Sequence, residues 1–209
     1  MDSEQQSVKI VKRAYARLAG VYDLTHESVL RRGRRQAVNA ANKRAGRLLE
    51  VGVGTGSSLR HYRSDLEVTA IDFSPEMLKK ARNRVVSQEL KNIKRLSVMD
   101  VMNLEFADSS FDIIVAAYVL AATGNARRAL EEIERVRAPG GEVIIVSYFG
   151  GGGRIRSSLE RSAASFCMRA FGTRPNLTLA TVVSSTVLTT REIRPVGPLG
   201  MFTLVHLAE

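Results

Sequence analysis

"LLEVGVGTGSS", residues Leu48 to Ser58, passes from an apolar run straight into three glycines at alternate positions, Gly52, Gly54 and Gly56. A strand-to-helix turn of this kind lets a ligand approach the backbone and aims the first amides of a helix at it. Two phosphate-binding patterns fail on spacing. A P-loop needs a lysine after its last glycine, whereas Ser57 and Ser58 follow Gly56. The dinucleotide fingerprint puts two residues between its second and third glycines, whereas only Thr55 separates Gly54 from Gly56. The tighter turn suits a ligand without pyrophosphate. Glu50, just before the turn, repels phosphates and complements an amine.

Working outward from the turn, short β-type runs alternate with helical patterns. RLLEV (47–51), EVTAID (67–72), IKRLSV (93–98), FDIIVAA (111–117) and EVIIVSYF (142–149) read as strands. PEMLKKARNRVVS, with Ser74 as N-cap and Pro75 in its first turn, and NARRALEEIERVR, which stops before Pro139-Gly140-Gly141, read as amphipathic crossover helices. Such alternation predicts an α/β fold, a parallel sheet with helices on both faces. VLTTREIRPV and MFTLVHL flank Gly197-Pro198-Leu199-Gly200 and read as an antiparallel pair. The glycines 150–153 read as a joint.

Asp72 ends the second strand, where a carboxylate can accept hydrogen bonds from two ribose hydroxyls. Asp100 follows the third strand, where a carboxylate can receive a hydrogen bond from an adenine amine. Ligand, sugar and base then line up across the carboxyl ends of the first three strands, where open α/β sheets bind their ligands.

The ordered set "EVGVGTG", "AIDFSPEML", "SVMDV", "SFDIIVAAYVL" and "RAPGGEVIIV" resembles the class I methyltransferases that use S-adenosyl-L-methionine (SAM), over residues 47–149. The resemblance implies a Rossmann-like, doubly wound and mostly parallel seven-stranded sheet, with an antiparallel C-terminal strand and N-terminal helices. It implies SAM as cofactor, held by the turn of Gly52, Gly54, Thr55 and Gly56, with Glu50 near its ammonium and Asp72 on its ribose. Phe73, Met77 and Val101 are then expected to wall the adenine, with Asp100 at its amine. Tyr15 and Tyr22-Asp23 resemble a "Y…YD" lead-in that closes over SAM in several methyltransferases of small molecules and lipids.

Charge separates the flanks from the core. The 209-residue chain carries a net charge of +10; residues 1–46 hold ten Lys/Arg against four Asp/Glu, residues 150–209 seven against three, and residues 47–149 fourteen of each. The excess lies wholly at the ends and predicts an extended anionic partner. Residues 7–20 place Val8, Val11, Tyr15 and Leu18 on one stripe among Lys9, Lys12, Arg13 and Arg17, a basic amphipathic helix. A second helix is expected over residues 27–43, carrying Arg31, Arg32, Arg34 and Arg35, and a further basic helical stretch runs from Arg154 to Phe171. The chain thus divides into N-terminal helices (1–46), for lid and membrane contact, and a methyltransferase domain (47–209). No run is long and apolar enough to span a membrane, and the N-terminus lacks an export-signal pattern, so a cytoplasmic protein is expected. Cys167 is the only cysteine, which excludes an internal disulfide and a multi-thiolate zinc site. No metal is expected.

"YARLAGVYDLTHESVLRRGRRQAVNAAN" and "RPVGPLGMFTLVHL" extend the similarity to the soluble bacterial phosphatidylethanolamine N-methyltransferases over nearly the whole chain. That resemblance implies a phospholipid N-methyltransferase that converts phosphatidylethanolamine towards phosphatidylcholine while peripheral to the inner face of the cell membrane. Basic residues near an anionic leaflet contribute on the order of 1 kcal/mol each. Arg31 to Arg35, Arg169 and Arg174 are candidates for the lipid phosphate. Tyr22, Tyr118, Tyr148 and Phe149 are candidates for the amine, because aromatic faces accept a growing number of methyl groups. Two stretches depart from that family: "VLAATGNARRAL" stands where a Val-rich run closing in Asp-Pro is expected, and Ser147-Tyr148-Phe149 where an Asn-His pair is expected. Both bear on the acceptor. A methyltransferase of a small-molecule or quinone-like acceptor would share the core without needing basic flanks. A non-catalytic SAM- and membrane-binding protein is the reading from another class. No nucleic-acid partner is expected, since the Asn/Asp-Pro-Pro-Tyr type of base-amine motif is absent.

Overall fold

The computed structural model describes residues 22–149, 177–184, 186–197 and 202–209. Strands β1 (Arg47–Val51), β2 (Glu67–Asp72), β3 (Ile93–Val98), β4 (Phe111–Ala117), β5 (Arg137–Ser147), β6 (Thr189–Val196) and β7 (Phe202–Ala208) form one sheet in the order β3-β2-β1-β4-β5-β7-β6. The first five run parallel. β7 is antiparallel to both β5 and β6, as the C-terminal pattern led one to expect. Helices α1 (Tyr22–Ala41), α2 (Pro75–Ser87), α3 (Ala126–Val136) and α4 (Leu179–Ser184) complete the described elements.

Alternation along the strands divides the core into two layers. Leu48, Val68, Ile113 and Ile144 face the side that carries α1, while Leu49, Val51, Ile114 and Ile145 face the side that carries α3 and α4. Each Leu or Ile among them is essentially inaccessible, which stabilises the fold by roughly 1.5–3 kcal/mol per side chain relative to exposure. The crossover helices start where their caps allow. Ser74 Oγ accepts from the Met77 amide at 3.3 Å ahead of Pro75, and Asn125 Oδ1 accepts from the Arg128 amide at 3.1 Å. Such caps contribute about 1 kcal/mol each.

Two element boundaries differ from the sequence expectation. The helix expected over 27–43 is Tyr22–Ala41, so it begins five residues earlier. Its Ala37, Val38 and Ala41 are fully buried in the core, and a hydrogen bond from Arg194 to Gln36 ties it to β6. The strand expected at 142–149 is Arg137–Ser147, so the Pro139-Gly140-Gly141 stretch lies within it, not before it. A register shift absorbs these residues: Phe111 pairs with Arg137, and the next pair is Ile113 with Glu142. Arg137 anchors the bulge by donating to the Ala138 carbonyl at 2.9 Å while pairing with Glu134 and Glu209. Tyr148 and Phe149 therefore lie beyond the strand. The expected helices at 7–20 and 154–171, with Tyr15, Cys167, Arg169 and Arg174, lie outside the described residues.

Candidate cofactor site at the switch of the sheet

Strand order reverses beside β1, whose neighbours are β2 on one side and β4 on the other. Open α/β sheets bind ligands outside the carboxyl ends of strands at such a switch. The glycine turn leaves β1 there, and its three glycines all have positive φ, 71°, 57° and 77°. They need it for different reasons. A Cβ on Gly56 would meet Ala81 Cβ and Leu59 Cδ1, both at 3.0 Å, so this glycine lets the turn pack against α2. A Cβ on Gly54 would meet nothing within 4 Å among the described residues. Gly54 is the glycine that faces open space.

Asp72 is tied to the same turn. Its Oδ2 accepts from the Gly54 amide at 2.8 Å and its Oδ1 from the Ser74 amide at 2.9 Å, with the residue only 7% exposed. Burial holds the carboxyl above its ordinary value, opposed by those two amides and by the charge of Arg34. The Gly52 and Val53 amides both donate to the Ile71 carbonyl, at 2.9 and 3.0 Å, fastening the turn to β2.

A cavity of about 380 Å³ opens beside these residues. Of the expected cofactor residues, Gly52, Asp72, Phe73, Asp100 and Val101 line it. Asp100 is exposed and its Oδ1 accepts from the Met102 amide at 2.9 Å, which fixes the bend after β3. Sequence reasoning missed two further walls: Val98, Met99, Met102 and Asn103 around Asp100, and Val119 with residues 122–124 after β4. The stretch VLAATGNARRAL, singled out as a departure near the acceptor, thus contributes to this wall. The loop after β3 is held from behind: Arg135 donates to the Leu104 and Phe106 carbonyls, both at 2.8 Å, and Arg128 to the Met102 carbonyl at 3.2 Å. No sequence pattern marks these walls, since Arg128 and Arg135 also pair with Glu131 and Glu132 within α3, as on any charged helix face.

The other expected residues lie outside the cavity lining. Glu50 is 1% exposed, and both its oxygens accept from the Ser58 hydroxyl, at 2.7 and 2.9 Å. The Tyr62 hydroxyl lies beside the same carboxylate. Burial raises the Glu50 carboxyl, with the Arg34 charge and the Ser58 and Tyr62 hydroxyls opposing. Thr55 and Gly56 are buried in the turn, and Met77 is buried in the first turn of α2. Tyr118 has φ 67°, donates to the Leu30 carbonyl of α1 at 3.1 Å and packs edge-on to Phe202 at 4.9 Å. Its hydroxyl is committed to α1, and burial pushes its pKa up. Tyr148 is half-buried against the same core layer as Tyr118. The side chain of Tyr22 and all of Tyr15 lie outside the described residues.

Residues 49–145 match the model of a family described as a methyltransferase domain. The chain is 37% identical over 196 residues to the phosphatidylethanolamine N-methyltransferase of Cereibacter sphaeroides, covering 94% of this chain and 96% of that protein. The chain belongs to the class I SAM-dependent methyltransferases. This methyltransferase is also 34% identical over 137 residues to the demethylmenaquinone methyltransferase of Renibacterium salmoninarum, covering 63% of this chain and 55% of that protein. A crystal structure of a SAM-dependent methyltransferase from Thermotoga maritima shares the fold, with a TM-score of 0.67 at 18% identity over 94% of this chain and 98% of that one.

SAM is the cofactor of this family, and the residues present fit it. A buried carboxylate suits a diol, the apolar Val98, Met99, Val101 and Met102 suit a flat base, and Gly54 leaves room above the turn. Among the described residues, no group of three or more His, Cys, Asp or Glu side chains is placed to hold a metal.

Proposed function

We propose that this methyltransferase is a phospholipid N-methyltransferase, acting on the amine of phosphatidylethanolamine and its methylated derivatives. The observation that carries the reading is the similarity to the Cereibacter sphaeroides enzyme across 94% of this chain and 96% of that one. That similarity includes the flanks and not the shared core alone.

Asp72 takes the two ribose hydroxyls, in part by exchanging its hold on the Gly54 amide, and Asp100 accepts from the adenine amine. Phe73, Val101 and the Met99–Met102 bend wall the base. When bound, SAM supplies an electrophilic methyl group for in-line displacement. Such a transfer needs an aligned, deprotonated amine more than an acid–base pair. Tyr148 is the aromatic candidate for that amine among the described side chains, while Tyr118 braces α1 through the Leu30 carbonyl.

A cationic face supports an anionic partner. Arg31, Arg32 and Arg35 of α1 are exposed, as is Arg60. Partial burial lowers the His61 pKa, and the charges of Arg60 and Arg35 lower it further, which places these groups together. This face and the basic flanks hold the protein against the inner, anionic surface of the cell membrane. Among the described residues, no helix is long and apolar enough to cross a membrane.

One specific observation favours a second reading. The demethylmenaquinone methyltransferases match the core, as in the 137 residues shared with the Renibacterium salmoninarum enzyme, though the chain spans only 55% of that protein. Mass spectrometry separates the readings. Vesicles of phosphatidylethanolamine and an anionic lipid are incubated with the protein and methyl-labelled SAM. Labelled mono-, di- or trimethylated lipid supports the phospholipid reading and shows which steps occur. Label on a demethylated quinone and none on lipid supports the second. Vesicle binding and SAM binding with no labelled product from either acceptor would rule out both.

A further inference from the structure

Residues 99–106 supply much of one cavity wall, yet they are neither helix nor strand. Their backbone is fixed by α3. Arg135 uses all five guanidinium N–H donors: Nε and Nη2 on Glu132 at 3.1 and 2.9 Å, Nη2 on the Leu104 carbonyl and Nη1 on the Phe106 carbonyl, both at 2.8 Å, and Nη1 on Asp108 Oδ1 at 2.7 Å. Glu132 is 4% exposed and accepts from the Leu104 amide at 2.9 Å. Arg128 donates to the Met102 carbonyl at 3.2 Å, and the Met102 amide donates to Asp100 Oδ1 at 2.9 Å. None of Arg128, Glu132 and Arg135 lines the cavity. The same helix also carries another wall, because its N-cap Asn125 directly follows residues 122–124, which line the cavity with Val119. α3 is thus joined to one wall by the chain and to the other by hydrogen bonds.

Ion pairs on an exposed helix face contribute little. Here the charged groups are aimed at the backbone of an irregular segment, where such bonds are strong and directional. A loop held through its carbonyls and amides places its side chains narrowly, and a hydrogen bond to a ligand weakens steeply when its partner is misaligned. We propose that Arg135, together with Arg128 and Glu132, is a positioning residue: it fixes the 99–106 wall so that the Asp100 carboxylate meets the adenine amine of SAM. α3 then sets the selectivity for the base without touching it. The proposal rests on the SAM reading of the cavity and is independent of the acceptor.

The test is calorimetric and needs no turnover. Binding of SAM is compared with binding of its inosine analogue, in which a carbonyl oxygen replaces the adenine amine and so presents an acceptor to the acceptor Asp100. The full chain is expected to prefer SAM by roughly tenfold to a hundredfold, the worth of a hydrogen bond to a charged group. Arg135→Met is expected to lose most of that preference. Arg128→Met, which removes only the tie to the Met102 carbonyl and partly exposed ion pairs, is expected to reduce it by a smaller factor. A purely structural role would lower the melting temperature and weaken both ligands alike, so a parental ratio in both variants would overturn the proposal. Should Arg135→Met not fold, the ratio in Arg128→Met decides alone. A parent that bound the two ligands equally would also overturn it, since Asp100 would then have no amine to meet. A parent that bound neither would overturn the SAM reading as well.

Discussion

The Tyr118 hydroxyl fills the space in which residue 33 would carry a side chain: a Cβ built on Gly33 collides with that oxygen and comes within 3.2 Å of Val146 Cγ1. Gly33 lies in the middle of α1, where glycine ordinarily costs about 1 kcal/mol relative to alanine. Here it permits the close approach on which the Tyr118–Leu30 hydrogen bond depends. Gly33→Ala is therefore expected to destabilise the protein by roughly 1–3 kcal/mol, overpacking outweighing the gain in helix propensity. Tyr118→Phe alone should cost about 1 kcal/mol for the lost hydrogen bond. In the double variant the oxygen that opposes the alanine is gone, so the combined loss should be smaller than the sum. Urea unfolding of the four proteins measures the coupling; strict additivity would show that Gly33 and Tyr118 do not share this space.

The glycines of the turn separate packing from binding. Gly56→Ala forces a Cβ against Ala81 and Leu59 at φ 77°, and should destabilise the protein by roughly 2–4 kcal/mol as the two penalties combine. Gly54→Ala adds its methyl to open space at φ 57°, and should cost only about 1–2 kcal/mol. Its larger effect is expected on SAM affinity, if the proposed cofactor position above the turn holds. Thermal unfolding and SAM titration of both variants should give opposite rankings. A Gly54→Ala protein that binds SAM as the parent does would move the cofactor off the turn.

Asp72 links the turn to β2 and also faces the cavity, so its removal acts on both. On the proposed ribose role, Asp72→Ala is expected to weaken SAM binding by about a hundredfold or more, the worth of two charge-assisted hydrogen bonds. The same change leaves the Gly54 and Ser74 amides without their acceptor. A modest loss of stability should accompany it, with the far-ultraviolet circular dichroism preserved. SAM titration monitored by calorimetry decides the matter, and near-parental affinity would remove Asp72 from the ribose.

How far the sequence could be read follows from the range of the interactions involved. The inner strands were legible because β1, β2 and β4 are short apolar runs bounded by turn residues, and Ser74-Pro75 marks the start of α2 to the residue. The start of β5 was not, because Pro139-Gly140-Gly141 carries a local turn signal that the pairing of Phe111 with Arg137 and the ion pairs of Arg137 override. Asp72 and Asp100 were singled out by their places at the end of β2 and just after β3, and both line the cavity. Glu50 was read as lying near the ammonium of the ligand; that its carboxylate accepts from Ser58, on the side covered by α1, could not be read. That orientation depends on a helix whose docking is set by Gly33 and Tyr118, 85 positions apart in the sequence.

Glu50 supplies the pH dependence. Burial raises its carboxyl above the ordinary 4.5 in the folded protein, while the unfolded chain keeps that value. Between the two values the native state binds more protons than the unfolded state, so the stability contributed by this group falls as pH rises through that window. Glu50→Gln removes the titration and keeps an oxygen to accept from Ser58. Relative to the parent, the variant should therefore gain stability as pH is raised from about 4.5 towards neutrality. Lowered carboxyls elsewhere, such as Asp112 held down by Arg47 and Glu132 by Arg135, change stability in the opposite sense but are common to both proteins. Urea unfolding of parent and variant at pH 4.5 and 7.5 isolates the difference. A stability gap that stayed constant, or widened in favour of the parent at the higher pH, would show that the Glu50 carboxyl is not raised. Arg34 would then outweigh the cost of burying it.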